Sequence, residues 1–372
     1  MLRHATAAAL AFVSLSACQS EPQQSAPSED AATVLAPDPM TSRDPAPGQP
    51  GEREDTPLPV MQAQVVLERL GFAPGIIDGK EGLSTRNALE GFQTATEIPV
   101  TGKFDPATLQ ALAPWSNIAA TRVVTIPEDF ARGPFVPLPK ETTEQAKLSA
   151  MGYTSLEEKL AERFHTTPDV LRMLNPTSVP SDAASQAAEP QPAVYRAGQQ
   201  LRVPNVGADG FDAATVENKD WATTLISLGV GTSQPTASRI VVSKSAGTLK
   251  VFDKADKLVA LFTVTTGSDK DPLPLGNWAI NGKSYNPEFS YDASLFWDVP
   301  DSKGEHLLPP GPNGPVGVVW IDLSKEHYGI HGTPEPHTIG RAQSHGCVRL
   351  TNWDAARLAQ MVSGSTKVAF VS

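Results

Sequence analysis

The chain has 372 residues, of which 40% are hydrophobic, and its formal net charge is −11 at pH 7. This length leaves room for several domains with ordinary cores. The acidic balance argues against a nucleic-acid partner, which would need a basic face.

Residues 1–17 have the composition of a secretory signal peptide. A positively charged start precedes an apolar run over residues 5–17, which is too short to span a bilayer as a helix. The run ends in LSAC at residues 15–18, which resembles a bacterial lipobox and implies lipidation of Cys18. Gln19 follows, which by the same resemblance implies a periplasmic protein anchored to the outer membrane of a Gram-negative cell. An ordinary signal peptide cleaved after residue 17 is the alternative.

Residues 18–57 are rich in Pro, Ser, Gln, Ala, Glu and Asp, with almost no large apolar residues. Such a segment cannot bury enough surface to fold, so we predict a disordered tether. The chain has two cysteines, so lipidation of Cys18 would leave Cys347 as the single thiol. No intramolecular disulfide could then form, and a lone cysteine in an oxidising space is more easily explained as a nucleophile.

Residues 58–113 predict a compact unit of three helices. One face of the second helix carries residues at helical spacing, namely Thr85, Ala88, Leu89 and Phe92. Ser84 is expected to be its N-cap. The dipeptide Asp105-Pro106 predicts the start of the third helix, with Leu109 on the inner face.

The second helix and the turn before it carry a recognisable pattern. Residues 78–93 read DGKEGLSTRNALEGFQ, and the spacing of DG, G, T, AL and FQ resembles the small peptidoglycan-binding domain often fused to wall enzymes. The resemblance implies a partner in the bacterial wall. A generic three-helix spacer is the alternative.

Residues 155–204 resemble a degenerate LysM-type module, a class that binds wall glycan. A helix is expected to open at Thr167-Pro168, and residues 201–203 alternate as in a strand. The first strand of such a module is not recognisable, and residues 180–192 look like an inserted flexible loop. Glycan binding and a purely structural role therefore both stay open.

Residues 114–154 and 205–237 are interpreted as linkers, the second with helical character around residues 221–228. From residue 238 to 372, β-branched and aromatic runs separated by turns predict a mostly β domain with one clear helix over residues 353–362. Strands are expected over residues 239–243, 249–253, 258–267, 316–323, 328–331 and 367–371. The fold class is thus multidomain: a small all-α domain, a small α+β module and a C-terminal mostly β domain.

One stretch near the C-terminus concentrates reactive side chains. Residues 331–350 read HGTPEPHTIGRAQSHGCVRL. A cysteine needs a base or a positive neighbour to be a useful nucleophile at neutral pH, because the thiolate is the reactive form. His331 and His345 are the candidate bases for Cys347. A buried, unreactive cysteine is the alternative reading of the thiol.

This stretch resembles the active-site motif of the L,D-transpeptidase (YkuD-type) family, which reads H-G-T, a loop, then S-H/K-G-C-hydrophobic-R. The resemblance implies a mixed-sheet, sandwich-like catalytic domain over residues 238–372, in which Cys347 is the nucleophile and His331 the base. His345 is then an auxiliary residue, since the family allows Lys at its position.

The resemblance also assigns the residues around the thiol. Gly332 and Gly346 let backbone approach the substrate, and the backbone N–H groups of Gly346 and Cys347 are placed to stabilise an oxyanion. Arg349 would bind a substrate carboxylate or brace the loop, and Ser344 is assigned to substrate binding.

Two further segments are placed near the cleft. Residues 271–278, DPLPLGNW, occupy the position of the family's T-P-x-G segment, with Leu-Pro in place of Thr-Pro. The aromatic residues between 285 and 297 either wall the cleft or belong to the core, and the sequence leaves both readings open.

The implied reaction is acyl transfer on a peptidoglycan stem tetrapeptide. Cys347 attacks the carbonyl between the third residue and the terminal D-Ala, and an acceptor amine resolves the thioester. His331 either takes the thiol proton or holds it in a thiolate–imidazolium pair. No cofactor and no metal are expected, and contact with a membrane is expected only through the lipid anchor.

Three outcomes stay open from the sequence. The acyl-enzyme could cross-link two stems or attach a protein to the wall. Water could replace the amine, which would give an L,D-carboxypeptidase or an enzyme that releases wall-linked groups. In a third reading the chain is a non-catalytic wall anchor, although the intact Cys347 and His331 argue against it.

Overall fold

The structure is a computed structural model that describes residues 58–176, 195–207, 210–295, 304–342, 344 and 346–372. The predicted signal peptide, the tether with Cys18, the loop over residues 180–192 and His345 lie outside the described residues. Within the described ranges, no helix is both long enough and apolar enough to cross a bilayer.

The N-terminal unit contains the three expected helices: α1 (Pro59–Arg69), α2 (Leu83–Ala95) and α3 (Pro106–Leu112). The face predicted for α2 is confirmed, since all four of its residues are buried. The N-cap assignment to Ser84 is wrong, because the N-cap is Gly82 and the helix begins two residues earlier than predicted, at Leu83. Leu109 is also wrong as an inner residue and is 54% exposed. Thr108 turns inward instead, where its hydroxyl accepts a 2.7 Å hydrogen bond from Gln93.

The middle module has a strand at each end and helices between them. Its elements are β1 (Thr121–Thr125), α4 (Glu128–Ala131), α5 (Thr142–Gln145), α6 (Leu156–Arg163), α7 (Pro168–Leu174) and β2 (Gln200–Pro204). β1 pairs antiparallel with β2. The segment over residues 114–154 therefore contributes a strand, β1, to this module and is not simply a linker. β1 was not recognisable because a long connection separates this short strand from the helices that share its core.

The C-terminal domain begins before residue 238. α8 (Lys219–Leu228) confirms the helical character expected around residues 221–228. However, Trp221, Leu225 and Leu228 are buried in the same core as the C-terminal strands. This part of the predicted linker is therefore a structural element of the C-terminal domain.

The C-terminal domain is built on an eight-stranded mixed sheet in the order β11-β10-β9-β6-β12-β3-β4-β5. Its strands are β3 (Arg239–Ser243), β4 (Thr248–Phe252), β5 (Leu258–Thr263), β6 (Gly276–Tyr285), β9 (Val319–Leu323), β10 (Gly329–His331), β11 (Val348–Arg349) and β12 (Lys367–Val371). A separate hairpin pairs β7 (Phe289–Asp292) with β8 (Glu305–Leu308). The ten-residue β6 was missed, since its GNWAINGKSY sequence lacks the β-branched alternation of a typical strand.

The sheet curls around the main helix, α9 (Asn352–Met361), and encloses one apolar core. Residues from both ends of the sheet meet α9 there, among them Val251, Ile330, Val348 and Leu358, all fully buried. The mixed sheet with one main helix is confirmed. It is one continuous curled sheet, whereas the resemblance implied a sandwich-like arrangement.

The N-terminal unit covers an edge of this sheet. Backbone hydrogen bonds join Ala73 N to Leu261 O at 2.8 Å and Leu261 N to Gly71 O at 3.0 Å. Since β5 is the outermost strand, these contacts pair backbone groups that an open edge would leave exposed. The N-terminal unit is therefore packed directly against the C-terminal domain.

Candidate functional site

Two short neighbouring strands bring Cys347 and His331 to one face of the sheet. β10 and β11 pair in parallel, with His331 opposite Arg349. Opposite residues in a parallel pair project from the same face, and so do residues two apart on one strand. Cys347 immediately precedes β11, so the register places the thiol, the imidazole and the guanidinium on one face. All three line a cavity of about 670 Å³.

The glycines beside these residues are required by close contacts. Gly346 has φ +99°, and a Cβ there would lie 2.6 Å from the ring of Tyr328. A Cβ on Gly332 would lie 2.2 Å from Asn352 Oδ1. Any side chain at either position would displace the loop that carries the reactive residues. An oxyanion site at the N–H groups of Gly346 and Cys347 stays a prediction.

His331 is held as a neutral imidazole. Its ring is 4% exposed and stacks on Trp320 with 5.3 Å between centroids. Nδ1 lies 2.6 Å from the carbonyl of Gly332. A carbonyl can only accept, so Nδ1 carries the proton and Nε2 keeps its lone pair. Burial, and then the positive charge of Arg349, lower the pKa of His331 to about 3.

Cys347 is held as a thiol. It is a free cysteine of intermediate exposure, and Sγ lies 3.7 Å from the carbonyl of His327, to which a thiol can donate. Burial raises the pKa of Cys347, while the backbone of Gly329 and the charge of Arg349 oppose that shift. Both shifts favour a thiol and a neutral imidazole.

The remaining predicted residues have different surroundings. Ser344 is buried, and its hydroxyl donates a 2.6 Å hydrogen bond to the carbonyl of Cys347. That bond braces the nucleophile turn, and a substrate contact by Ser344 stays a prediction. Arg349 lines the cavity, as its predicted role requires. His345 lies outside the described residues.

Several cavity residues were missed by the sequence reasoning. Thr142 and Gln145 of α5 line the cavity that holds Cys347, although they come from a segment predicted to be a linker, and no sequence signal marks them. Trp320 and Tyr328 also line it. Trp320 lies on a predicted strand and Tyr328 next to one. The sequence does not tell whether an aromatic residue at such a position belongs to the core or to the cleft.

The aromatic segment divides between the two alternatives. Phe289 and Tyr291 line the cavity. Tyr285 instead stacks on Trp221, with 4.4 Å between ring centroids. Phe296 and Trp297 lie outside the described residues. Asp271, the first residue of the segment that departs from the family pattern, also lines the cavity.

A second cluster of charged groups lies where the three modules meet. Within the described ranges, Glu68, His165 and Asp354 form the group whose ligand-type atoms come close enough for a metal. Glu68 also forms an ion pair with Arg357. The carboxylates face opposite ring nitrogens, with Glu68 3.3 Å from Nδ1 and Asp354 3.9 Å from Nε2. This arrangement suits an imidazolium between two carboxylates. It suits a single metal ion less well, because an imidazole binds a metal through one ring nitrogen and the two carboxylates face different nitrogens.

A series of hydrogen bonds leads from the middle module to the backbone just before β9. Glu162 accepts a 2.7 Å hydrogen bond from Asn352, whose side-chain oxygen accepts one of 3.1 Å from Val318 N. Asn352 in turn packs against the backbone of Gly332, the residue whose carbonyl orients His331. The middle module is thus connected through Asn352 to the backbone beside His331.

Family models match two parts of the chain. Residues 237–369 match the L,D-transpeptidase catalytic domain, YkuD. Residues 57–112 match the model described as “Putative peptidoglycan binding domain”. The two matches cover the predicted N-terminal and C-terminal domains.

Individual proteins resemble the chain over its catalytic part. “Putative L,D-transpeptidase YkuD” of Bacillus licheniformis is 32% identical over 171 residues, which cover 46% of this chain and 84% of that protein. “Probable L,D-transpeptidase YbiS” of Escherichia coli K12 is 30% identical over 137 residues, 36% of this chain and 44% of that protein.

Solved structures also resemble part of the chain. The crystal structure of L,D-transpeptidase 3 from Mycobacterium tuberculosis with a faropenem-derived adduct aligns at 19% identity with a TM-score of 0.30. The alignment covers 37% of this chain and 60% of that one. The chain therefore spans less than two thirds of the length of this solved relative.

Proposed function

The chain belongs to the L,D-transpeptidase family, and we propose from that premise that it transfers peptidoglycan stem peptides to an amine through a thioester on Cys347. The observation that carries the proposal is the parallel register that places Cys347, His331 and Arg349 around one cavity. A thiol, a base with a free lone pair and a fixed cation are the groups that cysteine-dependent acyl transfer requires.

In the first half-reaction, Nε2 of His331 takes the proton from Sγ as the sulfur attacks the carbonyl carbon of the third stem residue. The tetrahedral intermediate collapses by breaking the C–N bond. The imidazolium returns its proton to the leaving amine, and D-Ala departs. Cys347 is left as a thioester, and His331 is neutral again.

In the second half-reaction, an acceptor amine attacks the thioester carbonyl and gives a proton to His331. The C–S bond then breaks and the proton returns to sulfur, which restores the thiol. The low pKa of His331 and the raised pKa of Cys347 favour proton transfer that accompanies attack over transfer that precedes it. General base catalysis of this kind depends on holding the base within hydrogen-bond reach.

The surrounding residues have supporting roles in this proposal. The N–H groups of Gly346 and Cys347 would stabilise the oxyanion. Arg349 would hold a substrate carboxylate, since guanidinium and carboxylate groups form paired hydrogen bonds. Ser344 would keep the nucleophile turn in place through its bond to the Cys347 carbonyl.

The two smaller modules would hold the enzyme on its polymeric substrate. The peptidoglycan-binding family match supports this role for the N-terminal unit. For the middle module, the order β1, α6, α7, β2 supports the LysM resemblance, because it supplies the strand that the sequence did not show. Glycan binding by this module is part of the proposal.

A periplasmic location with a lipid at Cys18 rests on the sequence motif alone. Cys18→Ala should move the protein from the membrane pellet to the soluble fraction. If the variant still sediments with membranes, the anchor is elsewhere.

The decisive experiment is incubation of the protein with a purified disaccharide tetrapeptide and mass analysis of the products. Loss of D-Ala with formation of a dimer supports transpeptidation. Loss of D-Ala with only tripeptide product indicates the hydrolase, and no change over the Cys347→Ala control indicates a non-catalytic anchor.

A further inference from the structure

The wall of the catalytic cavity contains a carboxylate that the mechanism does not use. Asp271 lines the cavity together with Cys347, His331 and Arg349. Its Oδ2 is shut off from solvent and has no hydrogen-bond partner among the described residues. A buried carboxylate oxygen without a donor is unfavourable, so a donor arriving in this cavity would stabilise it.

The loop that carries Asp271 is firmly held. Its backbone N–H donates a 3.0 Å hydrogen bond to the buried Ser268 hydroxyl. Two residues on, Leu273 is 2% exposed and belongs to the main core. A Cβ on Gly267 would lie 2.1 Å from the carbonyl of Asp271, so the two ends of the loop are in contact. The position of the carboxylate is therefore built into the fold.

A second wall of the cavity also has an unpaired polar atom. Thr142 on α5 lines the cavity, and its buried hydroxyl oxygen has no partner among the described residues. Like a carboxylate, a hydroxyl oxygen can accept from a ligand donor. Two separate elements, the loop before β6 and α5 of the middle module, thus bring unused acceptors to the space beside the thiol.

We propose that Asp271 is the binding residue for a primary ammonium group of the stem peptide. The inference rests on the proposed function, because it assumes that a stem peptide occupies the cavity. A carboxylate accepts hydrogen bonds and carries a negative charge, whereas an ammonium offers three donors and a positive charge. Arg349 would hold a carboxylate of the same ligand, so the cavity would recognise a zwitterionic peptide by its two opposite charges.

The ammonium group can come from two sources. It is either the side-chain ammonium of the donor stem's third residue, a diamino acid, or the ammonium of the acceptor. In the second case the acceptor gives one proton to the Asp271 carboxylate before its nitrogen attacks. The two sources act at different steps, since the donor forms the thioester and the acceptor resolves it. Rates measured separately for the two half-reactions therefore distinguish them.

The test compares Asp271→Asn with the unmodified protein on two donor tetrapeptides, one with a free side-chain amine and one with that amine acetylated. The matched control is Asp269→Asn, which removes the same charge from an exposed position of the same loop. The first readout is kcat/KM for release of D-Ala. The second is the partition of the thioester between water and an added stem-peptide amine.

If the donor supplies the ammonium, Asp271→Asn lowers kcat/KM for the free-amine donor by about tenfold, the order expected from losing one charge-assisted hydrogen bond. The acetylated donor then reacts equally with both proteins. If the acceptor supplies it, D-Ala release is unchanged and the share of thioester captured by the amine falls by a similar factor. In both cases Asp269→Asn behaves like the unmodified protein.

An equal loss on free and acetylated donors would overturn the inference, because it would indicate a merely structural role for Asp271. Unchanged rates and partition in Asp271→Asn would overturn it as well. In both cases the unmodified protein still releases D-Ala, so the proposed function survives. If the unmodified protein releases no D-Ala, the proposed function fails and this inference fails with it.

Discussion

His331 and His165 are two buried histidines in different regions of the molecule, 4% and 3% exposed. His331 lies in the catalytic cavity beside the cation of Arg349, where burial and that charge lower its pKa to about 3. His165 lies between Glu68 and Asp354. Although burial lowers the pKa of His165, Asp354 and Glu68 raise it above its ordinary value.

The comparison shows that burial alone does not decide the charge of a histidine. Each ring is removed from water, which disfavours the imidazolium. The nearby charges then act in opposite directions: the cation of Arg349 lowers the pKa of His331 further, whereas Asp354 and Glu68 raise the pKa of His165. His331 lies at the cavity that also contains Cys347, whereas His165 lies in the ionic cluster where the three modules meet.

The largest effect is expected at the catalytic thiol. Cys347→Ala should abolish thioester formation and turnover while leaving the unfolding transition unchanged, because the mutation removes one small side chain from the cavity wall. The measurements are the mass of the covalent adduct and the thermal unfolding curve. Turnover in this variant would contradict the assignment of the nucleophile.

Replacing each of the two histidines should affect a different property of the protein. His331→Ala should slow acylation on the order of 10²–10⁴-fold, the usual contribution of a general base. His165→Ala should leave the rate of the folded protein within a few-fold and reduce stability instead. Acylation rates measured well below the unfolding temperature of both variants test this. Equal losses of acylation rate in the two variants would contradict the assignment of different roles to His331 and His165.

The ionic cluster should respond strongly when one partner is removed. Arg357→Met leaves two buried carboxylates, Glu68 and Asp354, facing His165 alone. Removing one partner of a buried pair in this way costs about 3–5 kcal/mol. The double variant Glu68→Gln, Arg357→Met should regain part of that loss, because no charge is left unpaired. Denaturant unfolding of the single and double variants measures the difference. A single variant as stable as the parent would mean that the pair contributes nothing.

The smallest expected effects concern pH, and they have opposite signs in the two regions. Folding lowers the pKa of His331, so the free energy of unfolding falls as pH drops below 6.5. The expected loss is about 2 kcal/mol at pH 5 relative to neutral pH. The pKa of His165 is raised, and burial raises that of Asp354 to about 6. Both of these contributions are present at low pH and lost as pH rises.

Two variants isolate these contributions. His331→Gln should flatten the loss of stability on the acid side, and His165→Gln should flatten the loss on the alkaline side. The measurement is the free energy of unfolding of each variant across the range from pH 4 to pH 8. If both variants kept the parent's pH profile, the assigned charges of the two histidines would be wrong.

The sequence by itself determined much of the local structure and the reactive residues. The α2 face, the strands over residues 239–243 and 367–371 and the N-cap at Asp105 follow from short-range periodicity and capping, and the structure contains them. The nucleophile motif was recognisable because its residues are close in sequence, and the family matches agree with the two domains inferred from motifs.

Only the tertiary structure decided which distant residues share a site. β1 lies far along the chain from β2, its partner, and α5 reaches the catalytic cavity from a segment that looked like a linker. No local pattern encodes such contacts, because they depend on how separate modules pack. The same holds for the charge states of His331 and His165, which are set by neighbours brought together from different parts of the fold.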